Sequence, residues 1–215
     1  MAPLLRDALK LYLVIGPEDC SKLSLEQTIL KAVRGGVTCV QLRDKQASDQ
    51  KLLKTAENLL KILPKTLPLV INDNVKVAAK LNLPVHIGQQ DMAYTEARKQ
   101  LGDQAIIGLS IENYQQAVSC SELDVSYFGV GPIFQTVSKS DAASPIGLEE
   151  LRKIVKTLRK PSVAIGGITD RNVRRICETG VAGVAVISAI SKADDPELAA
   201  RHILAAIQPG VKSNM

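Results

Sequence analysis

The chain has 215 residues, 46% hydrophobic and 23% charged, with a formal net charge of +5; this is the size of one ordinary domain or one compact α/β barrel, with ample chain to bury a core. Only six aromatic residues are present, so packing falls to Leu, Ile, Val and Ala, as in buried parallel sheets. The basic residues are scattered over predicted helices without an RNP-like aromatic or helix-turn-helix pattern, which argues against a nucleic-acid partner and for solvated helix faces with a local contribution from anion binding.

Cys20, Cys39, Cys120 and Cys177 lie 19, 81 and 57 residues apart. No CxxC pair results, and His86 and His202 are not spaced as zinc ligands, so the thiols read as reduced and structural. The opening MAPLLRDALK has no long apolar run after a basic start, and no stretch of about 18 apolar residues free of charge occurs. A cytoplasmic protein without a membrane partner is expected.

Eight short apolar runs follow in order: LYLVI (11–15), VTCVQLR (37–43), PLVIN (68–72), PVHIG (84–88), AIIGLS (105–110), SYFGVG (126–131), PSVAIGG (161–167) and GVAVIS (183–188). Amphipathic segments separate them, such as Leu52, Leu53, Ala56, Leu59, Leu60 and Leu63, or Leu148, Leu151, Ile154, Val155 and Leu158. Eight strand–helix units over 11–207 predict a (β/α)₈ TIM barrel in one domain spanning 1–215, with a frayed tail over 208–215. A doubly wound open sheet has a similar strand count. Nearly every run, however, ends polar or Gly-rich, at Gln41 and Arg43, Asn72, Gln89, Ser110, Gly131, Gly166 and Gly167, and Ser188. One convergent site at the C-terminal face of a barrel explains this better than a single switch point does.

Side chains alternate along a strand, so in QLRDK (41–45) Val40 and Leu42 share the face toward the helices while Gln41 and Arg43 point into the barrel mouth, with Lys45 just beyond. Arg43 either pairs with a buried carboxylate or, with Lys45, receives an anionic ligand. Asp73 and Asp91 follow the third and fourth strands. Each alone reads as a helix N-cap; together, facing Arg43 and Lys45, they fit a Mg²⁺ bound through one or two carboxylates plus substrate phosphate. His86 reads as a packed strand residue, and neither histidine has a nucleophile nearby in the pattern. The connection 131–145 is long for a βα loop, and Thr136, Ser138 and Lys139 supply hydroxyl and ammonium donors that suit anions. Gly166 and Gly167, with the run ending at Ser188, sit where the last two loops of such barrels often hold a phosphate. Two anionic subsites follow, a metal-assisted one near strands two to four and a metal-free one near strands seven and eight.

At this point the chain resembles the thiamine-phosphate synthase family from about Leu11 to Ile207, through QLRDK, PLVINDNVKVA, VHIGQQDM, IIGLS, YFGVGPIFQTVSKSDA, PIGLEEL, AIGGI and GVAVISAI. The resemblance implies that Gln41, Leu42, Arg43, Asp44, Lys45, Asn72, Ser110 and Lys139 bind an aminopyrimidine methyl diphosphate and that Asp73 and Asp91 hold Mg²⁺. It implies further that Thr136, Val137, Ser138, Gly167, Ile187 and Ser188 surround a thiazole phosphate, with Arg43, Lys45, Lys139 and Ser110 catalytic. Diphosphate then leaves first, and the thiazole nitrogen captures the pyrimidine methyl cation. Departures are modest: Gln135 stands where the family commonly has Pro, Ser138 where it often has Thr, and Leu83 and Pro84 where an Asp-Gly or similar pair is frequent. The related thiazole tautomerase does not need the diphosphate apparatus retained here in Asp73, Asp91 and Lys139. A non-catalytic phosphate sensor on the same scaffold would form no product. A homo-oligomer is compatible with all of this.

If Lys139 engages the departing diphosphate as the bond breaks, it acts on kcat and not only on binding. Lys139→Ala is expected to lower kcat at least about tenfold at saturating substrates, roughly 1.4 kcal/mol of transition-state stabilisation. Limited proteolysis of 135–143 should also slow when substrates are bound. A wild-type kcat under conditions where chemistry limits turnover removes Lys139 from that role.

Overall fold

The computed structural model describes residues 2–136 and 143–207, residues 2–4 by their main chain alone. Eight parallel strands close into a barrel in chain order: β1 (Leu11–Ile15), β2 (Cys39–Leu42), β3 (Leu69–Asn72), β4 (Val85–Ile87), β5 (Ile107–Ile111), β6 (Tyr127–Val130), β7 (Ser162–Ile165) and β8 (Gly183–Val186), with β8 paired back onto β1. The helices are α1 (Ala2–Ala8), α2 (Leu25–Arg34), α3 (Asp49–Ile62), α4 (Val75–Leu81), α5 (Tyr94–Leu101), α6 (Tyr114–Cys120), α7 (Gly147–Thr157), α8 (Val173–Cys177), α9 (Ser188–Ser191) and α10 (Pro196–Ile207). The expected (β/α)₈ TIM barrel is therefore the observed one, and the open sheet is excluded by the β1–β8 pairing.

Most strands are shorter than their apolar runs, because the chain leaves the ladder as it reaches the mouth. Arg43 N still donates to Ile15 O at 2.9 Å, yet β2 ends at Leu42. β5 instead runs one residue past its motif to Ile111. The helices follow their sequence signals. Ser24 caps α2 by accepting from Gln27 N at 3.2 Å while its own N–H donates to Gln27 Oε1 at 3.2 Å, a capping box that satisfies two otherwise orphaned donors. In α3, Leu52, Ala56 and Leu59 are buried at helical spacing.

Three short pieces had no sequence signal: α1, a 3-10 turn at Pro17–Asp19, and α9. The seven residues of α1 are too few for periodicity to register. Leu5 and Leu9 of this end pack beneath the barrel interior, and Thr38 Oγ1 ties the segment down by donating to Ala8 O at 3.0 Å and accepting from Leu11 N at 2.9 Å.

Alternation along the strands splits the apolar residues into two cores. Leu11, Leu13, Ile15, Val40, Leu42 and their equivalents pack outward against the helices. A smaller inner cluster holds Tyr12, Val14, Cys39, Val70, Tyr127, Val163, Ala185 and Ile187. Among the inward positions, Gly108 and Gly129 carry no side chain. A Cβ on Gly108 would lie 2.3 Å from Tyr127 Cζ and 2.4 Å from His86 Nδ1, and one on Gly129 would lie 2.9 Å from His86 Cε1. The glycines make room for the two rings.

Gly108→Ala is accordingly expected to overpack the interior and cost about 1–3 kcal/mol. Thermal unfolding would show this as a loss of about 2–4 °C per kcal/mol. An unchanged Tm would mean that the two rings are free to move aside.

Candidate active site

A cavity of about 740 Å³ opens at the C-terminal mouth of the barrel, a volume that accommodates small organic ligands. Gln41, Arg43, Lys45, Asn72, Asp73, Asp91, Ser110, Thr136, Gly167, Ile187 and Ser188 all line it, so the strand endings converge as expected. Leu42 and Asp44 do not. Leu42 is fully buried in the outer core, where alternation sends the neighbour of Gln41 and Arg43. Asp44 accepts from Gln46 N at 3.3 Å and pairs with Lys51 at 3.5 Å, closing the turn after β2. Their side chains serve packing and the turn and do not line the cavity. Val137, Ser138 and Lys139 lie outside the described residues.

The Arg43 side chain is almost wholly buried and stands 4.0 Å from Glu18, which is half exposed in the 3-10 turn. Arg43 therefore faces the cavity with two carboxylates of the 3-10 turn near it, Glu18 at 4.0 Å and the buried Asp19, whose charged form it favours. The Glu18 contact is long for an ion pair and partly solvated, so it opposes an incoming anion only weakly.

Neither Asp73 nor Asp91 is a helix cap; Asn74 caps α4 and Ala93 stands at the N-cap of α5. Asp91 instead accepts from Gly88 N at 2.7 Å. Asp73 sits at φ 60, a left-handed conformation that short polar side chains tolerate and that recurs at functional sites. Its N–H donates to His86 O at 2.8 Å. Burial, and then the hydrogen bond and charge of Asp91, push the Asp73 carboxyl from 3.8 up to about 7, against the opposing pull of Lys45. Two carboxylates held this close favour either a shared proton or a cation. Among the described residues no group of three or more His, Cys, Asp and Glu gathers to enclose a metal. The donor set is hard and incomplete, which suits a Mg²⁺ that keeps water and phosphate oxygens in its remaining positions.

Across the mouth, Gly166 and Gly167 take φ 103 and 64, and a Cβ on Gly167 would lie 2.7 Å from Gln135 O and Phe134 Cβ. Asn172 pins this turn, its Nδ2 donating to Gly167 O at 2.9 Å while its Oδ1 accepts from Thr169 N at 2.9 Å. Phe134 N donates to Gly166 O at 3.1 Å, so the long loop is held to the glycine turn as far as Gln135. The N–H groups of Gly166 and Gly167 donate to no described main-chain carbonyl. Together with the start of α9 at Ser188, they form the kind of cradle in which barrels bind phosphate.

Sequence reasoning missed four residues. His86 is no mere packing residue: its Nε2 is 3.0 Å from Ser110 Oγ and its Nδ1 is 3.1 Å from Tyr127 OH. The sequence pattern put no nucleophile near either histidine, yet the fold sets the Ser110 hydroxyl against His86; a tyrosine in place of a carboxylate on the second nitrogen makes this no Ser-His-Asp triad, as expected. Tyr12 and Tyr127 form part of the cavity wall, and Gln89 Nε2 donates to Ser110 O at 2.6 Å. The signal available was the pair Gly108 and Gly129, which leave space only a large inward neighbour would need.

The family model described as thiamine monophosphate synthase matches residues 11–190. The chain belongs to this family. It is 47% identical over 203 residues to a thiamine-phosphate synthase of Psychrobacter sp., covering 93% of this chain and 95% of the relative. With that of Albidiferax ferrireducens it shares 44% identity over 198 residues, 91% and 90% of the two chains. Thiamine phosphate pyrophosphorylase from Pyrococcus furiosus has the same barrel, with a TM-score of 0.85 at 32% identity over 94% of this chain and 97% of that one. Like these synthases, the chain is an enzyme of the transferase class. No helix among its described residues is long and apolar enough to cross a membrane.

The carboxylate pair gives a pH dependence. The unfolded chain releases the Asp73 proton near 3.8 and the folded one near 7, so over that window the folded state binds more protons and the pair's contribution to stability falls as pH rises. In EDTA, the Tm of the wild type is expected to drop more steeply than that of Asp91→Asn from about pH 5 to about pH 8. Parallel Tm curves for the two proteins would argue against the close pairing.

Proposed function

We propose that this enzyme joins an aminopyrimidine methyl diphosphate to a thiazole phosphate, yielding thiamine phosphate and pyrophosphate, and that it does so in the cytoplasm with Mg²⁺. The observation that carries the reading is the polarity of the cavity: cations and a carboxylate pair on the β2–β4 side, and on the β7–β8 side a glycine turn whose N–H groups donate to no described main-chain carbonyl. One diphosphate and one phosphomonoester match those two ends. The relatives named above carry the corresponding names.

Asp73 and Asp91 would hold the Mg²⁺. Bound there, the ion supplies charge neutralisation to the leaving diphosphate. Arg43 and Lys45 add fixed positive charge where negative charge accumulates as the C–O bond breaks. Asn72 and Ser110 orient the pyrimidine; Gly167, Ile187 and Ser188 hold the thiazole phosphate so that the ring nitrogen faces the carbon it attacks. Little acid–base work is required, since departure of diphosphate leaves a cation and nitrogen needs no deprotonation to capture it. Four free thiols accord with a reducing compartment.

Purified protein with both substrates and Mg²⁺ is expected to release thiamine phosphate and pyrophosphate in equal amounts, and EDTA should abolish turnover. Asp73→Asn and Asp91→Asn should each lower kcat at least about tenfold with an unchanged far-UV circular dichroism spectrum. Full activity in EDTA, or in both variants, would remove the metal from the reading, and absence of product under all conditions would remove the reading itself.

A further inference from the structure

The cavity floor contains an unbroken line of hydrogen bonds whose inner members, Tyr12, Tyr127 and His86, have no part in the reaction described above. Gln41 Nε2 donates to Tyr12 OH at 2.9 Å. The Tyr12 and Tyr127 hydroxyls are 2.9 Å apart, Tyr127 OH is 3.1 Å from His86 Nδ1, and His86 Nε2 is 3.0 Å from Ser110 Oγ. The line runs from β2 through β1 and β6 to β4 and β5, and its two tyrosines are only 2% and 1% exposed. Their hydroxyl protons therefore go to protein acceptors, since an unmade bond in so dry a place is costly.

One end determines the direction of all the others. An amide nitrogen only donates, so the Tyr12 oxygen accepts from Gln41. The Tyr12 proton then has two destinations, the Tyr127 oxygen or the Cys39 thiol with which Tyr12 interacts. Sulfur is the weaker acceptor, and a line of like-directed O–H bonds is cooperative, so the proton goes to Tyr127. Tyr127 in turn donates to His86 Nδ1, which must be bare. The imidazole proton is then on Nε2 and is given to Ser110 Oγ. The Ser110 proton, with its own oxygen already accepting, is left to face the cavity. Burial pushes both phenols well above their ordinary range, which keeps them protonated donors. Gly108 and Gly129, each without the Cβ that would collide with the His86 ring, show that the barrel gives up two inward side chains to accommodate this line.

We propose that Tyr12, Tyr127 and His86 are positioning residues: they hold His86 as the Nε2–H tautomer and so make Ser110 a hydrogen-bond donor to the bound pyrimidine diphosphate. The proposal rests on the synthase reading for the identity of that ligand, but the tautomer does not depend on it.

The chain has two histidines, and His202 is exposed on α10, so imidazole ¹⁵N spectra of the full-length, ligand-free protein separate them. The wild type is expected to show His86 with a proton-bearing Nε2 and a bare Nδ1. Tyr127→Phe removes the donor while keeping the ring, and there a population of His86 with a proton-bearing Nδ1 should appear. In the same variant kcat is expected to fall about five- to tenfold, the loss of one oriented hydrogen bond, with the thiazole phosphate KM changed by less than about twofold. An Nδ1–H tautomer in the wild type overturns the proposal whether or not the protein makes thiamine phosphate, and this measurement needs no variant to fold. Wild-type kcat in a Tyr127→Phe enzyme whose tautomer has been lost also overturns it.

Discussion

Side chains alternate across each strand of a closed barrel, so every strand serves two interiors at once. The outer one, against the helices, takes Leu, Ile and Val almost without exception, and burial of that surface is the main source of stability, at about 25 cal/mol per Å² of apolar area. The inner one is too narrow for eight large residues per layer. It alternates bulk with absence, Tyr127 and His86 beside Gly108 and Gly129. Because outward packing already specifies the register, the inward positions near the mouth are released from holding the fold together and become available for polar and charged groups.

Those groups are arranged at a cost that a ligand can offset. The Asp73 backbone is left-handed, and burial, with the Asp91 carboxyl added to it, pushes the Asp73 carboxyl up to about 7. The Arg43 side chain is buried, with the long Glu18 contact and the charge of Asp19 beside it. Under the proposed function, a cation held by the carboxylates and an anion on the guanidinium would relieve both frustrations together. On the opposite side the arrangement is rigid: Asn172 and Phe134 tie the glycine turn from two directions, so its N–H groups are oriented before a phosphate arrives and little ordering cost remains.

His86 links the two requirements. Its carbonyl accepts from Asp73 N and its ring meets Ser110, so one residue of a three-residue strand helps to place both a carboxylate and a hydroxyl of the cavity. A change at this position would therefore be felt at both groups, whereas the β7–β8 turn is supported by a different set of contacts.

Much was legible in the chain itself. Eight apolar runs, their polar endings and the amphipathic stretches between them specify a barrel because period two and period 3.6 are local properties, carried by residues adjacent in sequence. The facing of Gln41 and Arg43 follows from the same alternation, which also shows Leu42 to be an outward residue. What the chain alone leaves undecided is which inward residues meet across the barrel. Tyr12 and Tyr127 are 115 positions apart and His86 and Ser110 are 24 apart; their contacts depend on strand register and on closure of β8 onto β1. Whether Asp73 and Asp91 are caps or partners is likewise settled by the turns after β3 and β4, where Asn74 takes the capping role at α4 and Ala93 stands at the N-cap of α5, so that neither carboxylate caps a helix. Local periodicity thus determined the scaffold and the rim of the site, and the tertiary structure decided its hydrogen-bonded floor, because only closure brings residues from five different strands within 3.1 Å of their partners.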